Sequence, residues 1–225
     1  MNIIVINEVS ARKKNPDIIS ALKALGRNDF NIINAGMTER DDTPELTYIH
    51  TGFYGALLLN LGRADFIVGG CGTGQGFFNS IMQYPNVFCG LITSPLDAWL
   101  FAQINAGNAI SLALNQGYGW AGEVNLRFIF EKIFSVEPGC GYPPDRAESQ
   151  AKSRILLKKI SKITHVSFVD IIKNIDDQVI NPILKFPGAL ELINIDSLED
   201  KELKEALKYR ALRAYEGKVD NEDKF

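Results

Sequence analysis

Cys71 sits in a run with five glycines, Gly69-Gly70-Cys71-Gly72-Thr73-Gly74-Gln75-Gly76. The apolar stretch Ala64-Asp65-Phe66-Ile67-Val68 before it reads as a buried strand, and Phe77 to Gln83 resumes an amphipathic, helix-like pattern. Strand, glycine-rich turn and helix together make an anion site. Glycine lets the backbone approach a ligand, and the helix start offers unpaired N–H groups and a positive dipole end. A thiol among such donors has its thiolate favoured, which suits a base or a nucleophile. Free cysteine is also among the most buried residue types, so a structural role stands beside the chemical one. Position separates the two. A cysteine between glycines at the C-terminal end of a central strand lies where open α/β sheets bind ligands. A dinucleotide fingerprint does not fit, because the third-glycine spacing is missing, the turn does not follow the first strand, and no acid closes the next strand, Val87 to Ile92.

The elements around this turn alternate. Asn2 to Ile6 reads as a first strand, with Asn7-Glu8-Val9-Ser10 as the loop at its C-terminal end. Asn15-Pro16-Asp17 opens a helix with Ile18, Ile19, Leu22 and Leu25 on its apolar face, and Gly26 ends it. Asn31 to Asn34 is a short strand, Ala35 to Glu45 an acidic surface loop containing Asp41 and Asp42, and Leu46 to Leu61 a helix. After the Cys71 turn come a strand over Asn86–Ile92, a helix from Ser94-Pro95 to Asn105, a strand over Gly107–Leu112 and a helix over Glu123–Phe134. This order predicts an α/β fold, a doubly wound, Rossmann-like parallel sheet with right-handed crossovers. Past Pro144 the chain turns charged and helical, over Arg146–Lys162, Ser167–Asn174 and Asp196–Tyr215. We therefore expect an α/β domain over 1–144 and a helical C-terminal extension over 145–225 that packs on the domain or on a second subunit.

Composition narrows the function. A net charge of −3 lacks the basic surface expected for nucleic acid or an anionic membrane. Three cysteines without a CxxC pair, and two histidines, argue against a disulfide framework or a zinc site. The N-terminus lacks the features of a signal peptide, and no apolar run reaches the length of a membrane span, so a cytoplasmic protein is expected.

The loop Cys71-Gly72-Thr73-Gly74-x-Gly76, with Tyr48 and His50 upstream and Asn105 and Asn108 downstream, resembles the type B ribose-5-phosphate and galactose-6-phosphate isomerase family (RpiB/LacA/LacB) from Met1 to about Arg146. The resemblance implies an aldose–ketose isomerase without metal or organic cofactor. It implies a homodimer or homotetramer with sites shared between subunits. Cys71 would move a proton between C1 and C2, the N–H groups of Gly72, Gly74 and Gly76 would hold the enediolate oxygen, and Thr73 would assist through its hydroxyl. Asn105 would hold sugar hydroxyls or the oxyanion. Glu8 falls where the family carries an Asp that binds hydroxyls, and Arg146 where it carries a phosphate-binding arginine. Tyr48 and His50 would contact substrate. Without the resemblance, Tyr48 reads as packing, His50 as a histidine bonded to backbone, Asn105 and Asn108 as turn or cap residues, Arg146 as a solvated charge and Asp97 as an early helical acid.

The departures point to the substrate. Val9 replaces a usual histidine, Ile104 stands where members acting on cyclic pentose phosphates carry a ring-opening histidine, and Asn115 replaces a phosphate-gripping arginine. An isoleucine cannot move a proton at a ring oxygen. The expected substrate therefore needs no enzymatic ring opening, such as a tetrose phosphate or an open chain, and losing Arg weakens the case for phosphate. The second reading is a non-catalytic sugar-phosphate-binding subunit, against which the retained Cys71 argues. A thiol hydrolase lacks support, since His50 is the only histidine of the main domain and no Asp or Asn stands at triad spacing.

Overall fold

The computed structural model describes residues 1–39 and 43–216. Five parallel strands form one sheet in the order β2-β1-β3-β5-β4: β1 (Asn2–Asn7), β2 (Asn31–Asn34), β3 (Phe66–Cys71), β4 (Cys89–Ile92) and β5 (Ala109–Ala113). β3 is buried at every position, as a strand covered on both faces must be. Helices α1 (Asn15–Lys23), α4 (Pro95–Leu100) and α5 (Gly122–Ile133) cover one face, and α2 (Tyr48–Asn60) and α3 (Gln75–Ile81) the other. The alternation of β1 divides its side chains between them. Ile3 and Val5 join the core under α1 and α5, while Ile4 and Ile6 join the core under α2 and α3.

Local chemistry explains most boundaries. Pro16 lies in the first turn of α1, and Ser94 caps α4 by accepting from the Asp97 N–H at 3.1 Å. Asp97 returns the favour by accepting from the Thr93 N–H and hydroxyl, and those bonds hold its carboxyl below the usual range. The expected Ala35–Glu45 surface loop needs correction. Ala35 and Met37 are buried in the α2-side core, because the Ala35 and Met37 N–H groups bond to Val5 O and Asn7 O and draw this segment along the end of β1. Asp41 and Asp42 lie outside the described residues.

After α5 the described chain is helical: α6 (Ala147–Thr164), α7 (Phe168–Asn174), α8 (Asp177–Leu184), α9 (Ala189–Ile193) and α10 (Lys201–Glu216). The sequence pattern does not reveal α8 and α9, which are short and broken by Pro182 and Gly188. Helices α7 to α10 pack over α2, and Ile172, Ile180, Ile183, Leu184 and Leu207 share a continuous core with Phe53 and Leu57. Polar ties reinforce it. Arg63 after α2 donates to Ile193 O and Asn194 O, and the buried Arg210 donates to Ile175 O and pairs with Asp177. Helix α6 differs, with no buried residue along its length. Among the described residues, no helix is long and apolar enough to cross a membrane.

Ile183 is fully buried at the α8–α2 contact, so Ile183→Ala should cost about 2–5 kcal/mol in a urea unfolding transition of the whole chain. A minor loss, or a separate early transition, would show that these helices are not part of the same cooperative core.

Candidate active site

The register of β1 and β3 decides what meets at the C-terminal end of the sheet. Ile6 stands opposite Gly69 and Asn7 opposite Gly70, so the next residues, Glu8 and Cys71, end side by side. Glu8 is extended (φ −89°, ψ 174°), which continues the alternation of Ile4 and Ile6 and turns it toward the α2–α3 face. Cys71 faces the same way, since it joins the core cluster of Ile67, Phe77 and Ile81 and is 6% exposed. Cys71 is thus the last residue of β3 rather than a residue of the turn itself.

Glu8 is a buried carboxylate, 4% exposed, and burying it requires hydrogen bonds. Ser10 supplies two, one from its N–H at 2.9 Å and one from its hydroxyl. Ser10 in turn lies against Gly72 and accepts at its carbonyl from the Asn115 amide at 3.1 Å. Gly72 O takes the N–H groups of Asn115 and Gln116, at 3.0 and 2.8 Å. Ser10 is therefore a site residue that sequence reading missed. Its signal is the spacing Glu8-x-Ser10, where a hydroxyl two residues on can reach back to the carboxylate.

The turn is built around Gly74, at φ +77°, a conformation that disfavours a side chain. Its N–H points back to Cys71 O at 3.3 Å and its carbonyl accepts from the buried Ser111 hydroxyl. The expectation that all three glycine N–H groups form the anion hole is corrected here, because closing the turn engages the Gly74 N–H. Thr73 is also drawn inward on the chain, its hydroxyl accepting from the Gln75 N–H at 3.3 Å. Gly76 lies in the first turn of α3 under the Tyr48 ring, and a Cβ there would stand 2.8 Å from that ring. Tyr48 thus belongs to the rim of the site, about half exposed.

His50 has a different task. Its Nδ1 accepts from the Thr47 N–H at 2.9 Å and its Nε2 donates to Gln178 O at 3.0 Å. The ring caps α2 and ties it to α8, with both nitrogens engaged by backbone groups. Asn105 and Asn108 lie at the other end of the sheet. Asn108 bonds through its carbonyl oxygen to Ile67 N, four residues before Cys71, a separation of about 13 Å along the strand. Its side chain joins Phe88 N to Asn86 O, which fixes the entry of β4. Asn105 ends a π turn, Phe101–Asn105, and is exposed there. Arg146 is exposed on a 3-10 turn before α6, its guanidinium reaching Ser149, and α6 packs along the π turn. Neither residue belongs to the Cys71 cluster of the same chain. Of the other cysteines, burial pushes the Cys89 thiol up, and Cys140 is exposed. Among the described residues no cluster of His, Cys, Asp and Glu has the makings of a metal site.

A model of the Ribose/Galactose Isomerase family matches residues 3–132. The chain is similar to a 4-deoxy-L-threo-5-hexosulose-uronate ketol-isomerase crystallised with a tartrate, at 36% identity and a TM-score of 0.88, over 93% of this chain and 99% of that one. It is also similar to ribose-5-phosphate isomerase LacAB_rpiB from Vibrio parahaemolyticus, at 37% identity and a TM-score of 0.87, over 93% and 99% of the two chains. The type B ribose 5-phosphate isomerase of Leishmania infantum, 16% identical with a TM-score of 0.61 over 73% of this chain and 98% of that one, shares the fold. Comparison with curated proteins gave no match. Fold and relatives define the class as an isomerase built on a doubly wound sheet. The chain belongs to the ribose/galactose isomerase family.

Replacing His50 by Ala should remove the cap of α2 and its tie to α8, lowering stability by about 1–2 kcal/mol in chemical denaturation. An unchanged midpoint would return His50 to the list of ligand contacts.

Proposed function

We propose that the protein is a cofactor-free aldose–ketose isomerase with Cys71 as the proton-transfer base. The observation that carries this reading is the pairing of Cys71 and the buried Glu8 on the adjacent ends of β1 and β3, beside the turn that opens α3. Cys71 takes a proton from the carbon next to the carbonyl, the electrons move onto the carbonyl oxygen, and the thiol, whose proton exchanges with water, delivers a proton to the neighbouring carbon. Gly72 and Gly76, at the end of β3 and the start of α3, are the assigned donors toward the enediolate oxygen. Glu8, held by Ser10, accepts substrate hydroxyl protons, and the Thr73 hydroxyl stands nearby to pass a proton between the two oxygens.

The substrate we assign is an open-chain sugar with an anionic end. Ile104 offers no ring-opening group, and Asn115 spends its amide on Ser10 O rather than standing as a phosphate clamp. One relative is named for a uronate, whose charge is a carboxylate, and another for ribose 5-phosphate. The missing arginine favours the carboxylate. A non-catalytic binding subunit would need no buried carboxylate beside the thiol.

The site is shared between two copies of the chain in this reading, in a cytoplasmic homodimer or a tetramer built from it. Asn105 lies at the pole opposite its own Cys71 and is placed to serve a partner's. Helix α6 supports pairing, because it bonds to its own body through Arg154 and Ser161 while Leu156, Ile160 and Ile163 face solvent. The division at 144, with α6 onward as an extension that completes the assembly, belongs to the same proposal.

Cys71→Ser should keep the fold and lose most solvent-deuterium incorporation into a panel of uronates and sugar phosphates followed by NMR, because a hydroxyl is a far weaker base. Incorporation at the wild-type rate would remove Cys71 from the mechanism. Mixing unfolded Cys71→Ser and Asn105→Ala chains and refolding them together should restore about a quarter of wild-type turnover, since half of the dimers are mixed and each of those has one intact site. No recovery would place Asn105 outside the partner's site.

A further inference from the structure

The 3-10 turn that follows β1, Val9–Lys14, carries three consecutive cations, Arg12, Lys13 and Lys14. A 3-10 helix has three residues per turn, so side chains three apart eclipse and the turn has three faces. Contacts fix where each face looks. Ala11 is buried in the core under α1 and α5, and the Lys14 ammonium, on the same face, lies 4.1 Å from the centre of the Tyr118 ring. Val9 packs on the α2-side core, and Arg12, on its face, reaches the Glu45 carboxylate just ahead of α2, 3.8 Å away. The third face is that of Ser10, whose hydroxyl bonds to Glu8 and stands 3.5 Å from the place of a Cβ on Gly72. Lys13 is the residue that eclipses Ser10.

Lys13 thus stands about 6 Å along the turn from Ser10, on the side that borders Glu8 and the Cys71–Gly72 end of β3. It is exposed, and among the described residues its ammonium has no ion pair, hydrogen bond or ring partner, whereas Arg12 and Lys14 are each occupied. A lysine ammonium is a point charge on a flexible four-carbon stem, so it can swing over the adjacent end of β3. That charge balances a single negative one. The buried Glu8 carboxylate close by would repel the surplus charge of a phosphate dianion, which leaves a carboxylate as the group that fits.

We propose that Lys13 binds the carboxylate at the far end of an open-chain substrate whose carbonyl end lies at Cys71, and so selects uronates over neutral sugars. That placement of the substrate rests on the isomerase reading. Capture of an open-chain hydroxy-carboxylate by Lys13 does not. The contact is made to the end remote from the reacting carbons, so it serves substrate and transition state equally and is felt in KM rather than in kcat.

The probe is D-gluconate, an open-chain six-carbon carboxylate without a carbonyl, with D-glucitol as its uncharged counterpart, each titrated into the full-length protein by calorimetry. Lys13→Met, at an exposed position, should weaken gluconate binding about tenfold and leave glucitol within about twofold. Lys13→Arg keeps the charge and should hold gluconate within about threefold of wild type. Arg12→Met and Lys14→Met, on the other two faces, should each change it by less than about threefold. For the uronate that exchanges deuterium most readily, Lys13→Met should raise KM about tenfold at nearly constant kcat. Gluconate binding that is absent from the wild type or unchanged in Lys13→Met would overturn the proposal. So would equal losses in all three methionine variants, a loss confined to Arg146→Met, or tighter Lys13-dependent binding of D-ribitol 5-phosphate. Failure of the isomerase reading has its own signature, namely no exchange in any sugar while gluconate still binds through Lys13.

Discussion

The register between β1 and β3 is the constraint from which the site follows. Because Asn7 lies opposite Gly70, the chain leaves both strands at the same height and Glu8 arrives beside Cys71. A slip of one residue would send one of the two side chains to the opposite face, since alternate residues along a strand face opposite ways. A carboxylate so placed can be buried only with donors, and Ser10 provides them from the loop that β1 runs into. Gly72, which leaves room for Ser10 and Asn115, completes a set of contacts that no single element contains.

Close approach of backbone and rings holds the turn against its surroundings. Gly69 lies under the Phe77 ring, with the place of a Cβ only 2.1 Å from it, and this lets α3 pack down directly after the strand it follows. Gly76 does the same for Tyr48 at the start of α2. These two contacts bring α2 and α3 together over the end of β3, so the position of the thiol depends on the packing of both helices. The C-terminal helices extend that dependence. Through His50 and Arg63 they hold both ends of α2, the first at its cap and the second just beyond its last turn.

A parallel sheet also separates functions by pole. Every strand points the same way, so loops that follow strands gather at one end and loops that precede them at the other. Glu8 and Thr73 follow β1 and β3, and Cys71 ends β3. Asn105 and Asn108 precede β5, and sequence spacing carries no record of that distinction. The same limit explains α6. Its stripe of Leu156, Ile160 and Ile163 has the spacing of a core face, yet the bonds of Arg154 and Ser161 turn the polar side inward.

The strands, the longer helices and the family were legible in the sequence because each rests on local information. Buried strands are short apolar runs, amphipathic helices have a period, and the Cys71 loop has a distinctive glycine spacing. Helices α8 and α9 were not legible, because they are too short and too interrupted for a period to emerge. The burial of Met37 was hidden by the polar residues around it. Sequence alone determined that a thiol would end a central strand beside a helix start. Tertiary structure alone decided what surrounds it: Ser10, from the turn after β1, bonds Glu8 and lies against Gly72, the Tyr48 ring lies over Gly76, both His50 nitrogens are spent on backbone, and the chain's own Asn105 lies at the other pole. The reason is physical. Strand register, helix packing and the direction of a parallel ladder are relations between segments distant in the chain, and the residue types of one segment do not encode the position of another.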